Sequence, residues 1–197
     1  MSKITSPSTL TEQVEYNGTH FGDLTWLVSP ETGSKVSYAS ARNKIKSIAF
    51  HLNARGLPPG SKIAVAANNG ISSCLTILGI IYAGHIALPL NLVAGSKIIA
   101  YTLDHSETAL IFTADDCEKL ISEALSDFEK EIEIIKLDSQ LGPIWEKEAL
   151  NEKFVKKGNV LLLYNSNQPI SDSNPIPFFN LDEYINYLEI QKEKGVD

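Results

Sequence analysis

Cysteine is scarce in this chain, and its scarcity excludes two classes of small protein. Of 197 residues only Cys74 and Cys117 are cysteines, and they form no CxxC pair. A disulfide scaffold and a structural zinc site are therefore excluded. One methionine and two tryptophans leave no Met-rich or aromatic binding surface. The four histidines, His20, His51, His85 and His105, fall in no HExxH or other ligand spacing, and each reads as structural. No GxSxG, GxGxxG or GxxxxGK[ST] occurs, and beyond Gly158 the only glycine is Gly195. A nucleophile elbow and a standard phosphate cradle are absent on residue chemistry. Net charge is −7, the wrong sign for tracking a phosphate backbone, so no nucleic-acid partner is expected. The amino terminus lacks an apolar signal core, which reads as cytoplasmic and leaves the Asn17–Thr19 sequon idle.

Asp, Glu, Lys and Arg are missing from Ile63 to Ser96, a stretch long enough to cross a bilayer. Polar residues and Pro89 divide it, so it reads as a buried strand–helix–strand rather than a membrane span. Charge is uneven elsewhere: residues 1–114 sum to +2 and residues 115–197 to −9, consistent with a solvated, helix-rich second half.

With 43% hydrophobic residues there is ample material for a core. Residues 1–33 read as polar and loop-like, with an extended patch at Leu24–Val28 and a turn at Pro30–Gly33. Val36–Tyr38 reads as a short strand entering a helix capped by Ser37 or Ser40. Its apolar face is Ala41, Ile45, Ile48, Ala49 and Leu52, and Gly56 ends it. Apolar runs at 62–67, 86–90, 109–113 and 132–137 read as strands. Helices are expected over 71–83 (stopped by Gly84), from Ser96 as cap to Leu103, and from Asp115 through Leu125. Fully apolar strands alternating with helices predict a three-layer α/β fold with a mostly parallel, doubly wound sheet. Residues 138–158 read as a linker with a weak helix, Asn159–Tyr164 as a strand, and Leu181–Lys194 as an amphipathic helix. Cys74 reads as a core residue. Cys117 lies at a helix start, where a thiolate could be stabilised. Two strand ends could host a phosphate, Ala66–Gly70 and Leu163–Asn167, but the first has one glycine and the second none.

The order of segments resembles the opening of adenylate-forming (AMP-binding) enzymes, the superfamily of acyl-CoA synthetases and peptide-synthetase adenylation domains. Val36-Ser37-Tyr38 stands in the L-T-Y positions of the family's L-T-Y-x-E-L motif, with Ser40-Ala41 replacing Glu-Leu. Ile81-Tyr82-Ala83-Gly84-His85-Ile86-Ala87-Leu88-Pro89-Leu90-Asn91 resembles L-K-A-G-x-x-Y-x-P-L-D/N, and its Asn ending is more like the acyl-CoA ligases. The resemblance runs from about Trp26 to Leu137 and implies the first subdomain of an acyl-CoA synthetase. It divides the chain into a segment 1–33, an AMP-binding-like α/β domain 34–164 and a divergent tail 165–197.

In that family ATP is held by a loop of the form Y-T-S-G-T-T-G-x-P-K-G. Here Asn165-Ser166-Asn167-Gln168-Pro169-Ile170 follows Tyr164, and only Tyr164 and Ser166 match. The motif's three glycines and its lysine are missing. The resemblance thus implies ATP and Mg for the parent family and no cofactor, metal or catalytic residue in this chain alone. The parent activity would be ATP-dependent activation of a carboxylic acid, and the expectation is a truncated, catalytically incompetent piece with an exposed apolar face. The alternatives are an interaction module binding another chain or itself, through the acidic second half or the Leu181–Leu188 face, and one half of a split ligase.

Overall fold

The apolar runs of the sequence become strands of one sheet because each carries apolar side chains on both faces. The computed structural model describes residues 7–126, 128, 131–139 and 142–144. All belong to the first of two units into which the chain divides, Met1–Trp145. The elements are α1 (Leu10–His20), β1 (Thr25–Val28), β2 (Lys35–Ser37), α2 (Tyr38–Ala54), β3 (Lys62–Ala66), α3 (Ile71–Tyr82), β4 (Ile86–Pro89), α4 (Ser96–His105), β5 (Leu110–Thr113), α5 (Glu118–Leu125), β6 (Glu133–Asp138) and β7 (Gly142–Pro143). Single 3-10 turns precede α4 and α5, at Leu92–Ala94 and Asp115–Cys117.

β1 and β2 form an antiparallel hairpin. The main sheet has the order β4-β3-β5-β6-β7. Its first four strands are parallel and the two-residue β7 runs antiparallel to β6. Alternation along the strands splits the core. Ile63, Val65, Leu110, Phe112, Ile135 and Leu137 pack with Ile48 and Leu52 of α2 and Ile80 of α3. Ala64, Ala66 and Ile111 pack with Ile99 and Leu103 of α4 and Ile121 and Ala124 of α5. Helices therefore cover both faces, as the fully apolar strands require. A third cluster, Val14, Ala41, Ile45 and Leu75, seats α1 on the outer side of α2 and α3, with Trp26, Leu27 and Val36 packed against it. Trp26 stacks on Tyr38 at 5.3 Å between ring centroids. No described helix is long and apolar enough to cross a membrane, and the uncharged stretch is the buried unit β3–α3–β4.

Three details differ from the sequence reading. Residues 10–20 form a helix where a loop was expected. Thr9 and Glu12 make a reciprocal capping box that satisfies two backbone donors of the first turn, and Val14 anchors the helix from inside. Tyr82 adds a tether, its hydroxyl donating to Glu15 Oε1, which also meets Lys46 Nζ at 2.9 Å. Second, Gly95 rather than Ser96 occupies the cap position of α4, with φ of +81° and no side-chain cap bond. Third, Gly142 (φ +92°) and Pro143, expected in a linker, pair antiparallel with the end of β6 as β7. The expected strand at Asn159–Tyr164, the helix at Leu181–Lys194 and most of the linker lie outside the described residues.

Two helix ends show the same closing motif with different residues. After α3, His85 N donates to Ile80 O and Gly84 N to Ile81 O, with Gly84 at φ +82°. After α4, Thr108 N donates to Leu103 O and Glu107 N to Asp104 O, and here Glu107 takes the left-handed position at φ +54°. Glycine is the residue this position favours, because a Cβ crowds the neighbouring carbonyl. Glu107→Gly is therefore expected to raise the unfolding free energy by about 0.5–1 kcal/mol, read as a higher urea midpoint. The exposed 3.9 Å contact that it removes, from Lys62 to Glu107, contributes little. An unchanged or lower midpoint overturns this.

Candidate functional site

The sheet order reverses at β3. The connection through α3 carries the chain outward from β3 to β4, and the connection through α4 brings it back across to β5 on the other side of β3. The loops after β3 and β5 thus leave toward opposite faces, opening a crevice at the carboxyl ends of these two strands. In open α/β sheets this switch point is where ligands bind. Its walls are Ala67–Gly70 after β3 and Ala114–Cys117 after β5.

Sequence-local causes shape both walls. Asn68, Asn69 and Gly70 are exposed, and α3 starts without a side-chain cap. Its N-cap residue, Gly70, has no side chain to cap with, and the first-turn hydroxyls bond elsewhere: Ser73 Oγ donates to Gly70 O at 3.1 Å and Ser72 Oγ to Asp138 O at 2.7 Å. The second bond ties the start of α3 to the end of β6. On the other wall Ala114 N donates to Ala66 O, continuing the β3–β5 ladder by one bond. Across the crevice Asn68 Nδ2 donates to Asp116 Oδ2 at 2.7 Å. That bridge joins residues 48 positions apart.

The crevice is acidic. Asp115 and Asp116 line its β5 side and Glu118 follows. The nearby cation Lys136 is engaged by Glu118 at 2.7 Å, which also holds the ammonium above its usual range. The described residues therefore offer carboxylates and amides here and a lysine already paired. Among them no group of three or more His, Cys, Asp or Glu could hold a metal ion. They do not fit Mg·ATP by themselves: a polyphosphate needs cations or a glycine-rich cradle, and the carboxylates repel it.

Cys117 is buried, with its thiol pushed up to about 11, first by burial and then by its hydrogen bond to Asp116 and that carboxylate's charge. The helix-start thiolate suggested by the sequence is thus not formed: a thiol beside a carboxylate in a dry site stays protonated. Cys74 is half-buried rather than a core residue, and burial raises its thiol too. His51 is buried on α2, and His105 ends α4 stacked on Tyr101. The first of the two strand ends singled out in the sequence, Ala66–Gly70, is one wall of the crevice. The second, with Tyr164 and Ser166, lies outside the described residues. The Asn68–Asp116 bridge was not anticipated, because strand order decides which loops meet.

A family match to AMP-binding enzymes spans residues 14–177, from α1 to beyond Tyr164. The chain belongs to the AMP-binding enzyme family. Among curated relatives, a sulfoacetate–CoA ligase from Cupriavidus necator is 29% identical over 119 residues, covering 60% of this chain and 23% of the relative. A 2-succinylbenzoate–CoA ligase from Bacillus cereus is 25% identical over 132 residues, covering 67% and 25%. The chain thus spans about a quarter of the length of these relatives. Among solved structures, the inhibitor-bound N-terminal domain of FACL13 from Mycobacterium tuberculosis superposes with a TM-score of 0.60 at 20% identity, covering 66% of this chain and 33% of that one. A benzoate CoA ligase from Burkholderia xenovorans gives 0.61 at 16% identity, covering 68% and 27%. These likenesses establish that the α/β fold is that of the amino-terminal region of CoA ligases. In this AMP-binding domain Pro89 and Gly84 of the second motif are structural: one ends β4 and the other closes α3.

Proposed function

We propose that this chain is the amino-terminal portion of an AMP-dependent acyl-CoA-ligase-type domain, that it is scaffold rather than catalyst, and that it does not bind ATP alone. The observation that carries this reading is the chemistry of the switch-point crevice. Its described walls present Asp115, Asp116 and an engaged Lys136 where a nucleotide would need cations. The sequence after Tyr164 points the same way, since Asn165–Ile170 lacks the glycines and lysine of the family's phosphate loop. Activation of a carboxylic acid through an acyl-adenylate, with ATP and Mg, is the activity of the parent family. In this reading it requires phosphate-binding and catalytic groups from further polypeptide, as in a split ligase completed by a second chain.

The test is a calorimetric titration of the purified chain with Mg·ATP. No saturable heat is expected up to millimolar nucleotide. Saturable one-to-one binding overturns the reading and makes pyrophosphate release with a panel of carboxylic acids the next assay.

A further inference from the structure

α4 buries Ile99 and Leu103 against the sheet and turns Lys97, Ile98, Tyr101, Asp104 and His105 outward. Positions 97, 101 and 104 follow one another at four and three residues, so they share one side of the helix. Two large side chains on that side stand in water, Ile98 at 55% and Tyr101 at 64% exposure, and Val93 in the preceding turn is 94% exposed.

The framing charges are placed against their own helix. Lys97 is in the first turn of α4, at the positive end of the helix dipole, and Asp104 is in the last turn, at the negative end. Each arrangement is unfavourable in an isolated helix. Both become favourable beside an antiparallel neighbour, whose carboxyl end lies against Lys97 and whose amino end lies against Asp104. A two-fold axis across the middle of α4 supplies that neighbour, since such an interface is self-complementary.

We propose that α4 is a self-association surface on which two copies of this chain pair antiparallel, covering Ile98 and Tyr101, with Lys97 of each copy facing Asp104 of the other. A ten-residue helix is only about 15 Å long. The interface is therefore smaller than those of permanent dimers, and dissociation on the order of 10 micromolar is expected. This rests on α4 alone and is independent of whether nucleotide binds.

The test is sedimentation velocity on the full chain from about 1 to 200 micromolar, a range bracketing that affinity. A reversible monomer–dimer equilibrium is expected. Tyr101→Glu weakens it by about a hundredfold or more, with unchanged circular dichroism because the side chain is exposed. Lys97→Glu and Asp104→Lys each weaken it by about tenfold, since each places like charges across the axis twice per dimer. The double variant Lys97→Glu/Asp104→Lys restores it to within about threefold of the natural chain. A natural chain monomeric throughout overturns the proposal, as does a dimer that Tyr101→Glu leaves intact. A double variant no better than the single ones overturns the antiparallel pairing.

Discussion

Gly79→Ala is expected to lower the unfolding free energy of this domain by about 2–3 kcal/mol, one of the two largest effects we anticipate. Gly79 lies at the crossing of α2 and α3, where a Cβ would sit 2.6 Å from both Cβ and Cγ2 of Ile48. Real carbon pairs do not approach so closely, so one helix has to shift. Ile48 is itself buried in the cluster shared by α2, α3 and the sheet, and a shift there disturbs the core on that face. Alanine's better helix propensity returns about 1 kcal/mol and does not offset the clash. A second variant makes the mechanism testable. Because the close atom includes the Cβ of Ile48, Ile48→Ala does not relieve the overlap, so Gly79→Ala/Ile48→Ala is less stable than either single variant. Urea denaturation followed by circular dichroism decides it. A Gly79→Ala protein as stable as the natural chain refutes the close crossing.

Lowering the pH from 7 to 5 is expected to cost about 2 kcal/mol of stability through His51 alone. His51 is buried on α2, and its imidazole is pushed down to about 3, chiefly by burial and further by the charge of Arg55. Its folded-state value lies below its unfolded value near 6.5. The unfolded chain therefore binds the proton first, so this contribution is fully present above about pH 6.5 and is lost progressively toward pH 3. His85 acts in the same direction: it is buried, neither ring nitrogen has a hydrogen-bond partner among the described residues, and burial holds it below its ordinary value. The carboxylates are separable from this. Glu12 is held low first by hydrogen bonds from Ser8. For Glu15, burial is the largest single influence and raises it, but Tyr82 and Lys46 together outweigh that. Their contributions persist until the pH falls below about 4.5. The window between 6.5 and 4.5 thus reports the histidines. His51→Leu is expected to remove most of the slope of urea midpoint against pH there, and an unaltered slope overturns the assignment.

Several features were legible in the residues alone. The face Ala41, Ile45, Ile48, Ala49, Leu52 is buried as its spacing required, and Ser37 caps α2. Four apolar runs became four parallel strands, because a run apolar on both sides is stable only between two helix layers. The helix at residues 10–20 was present in the sequence as the Thr9–Glu12 capping box, but its weak apolar face hid it. Its stability comes from contact with α2 and α3, which local pattern does not report.

The sequence by itself determined the element order, the parallel sheet, the burial of the uncharged stretch and the family. These follow from hydrophobic periodicity and turn residues, which act over a few positions along the chain. Only the tertiary structure decided which strand ends face each other, and hence that Asn68 meets Asp116. It also decided that Cys117 is buried, that Gly79 lies under Ile48, and that Ile98 and Tyr101 of α4 stand in water. Each of these is a contact, or the lack of one, between segments far apart in sequence, fixed by strand order and helix packing rather than by local pattern.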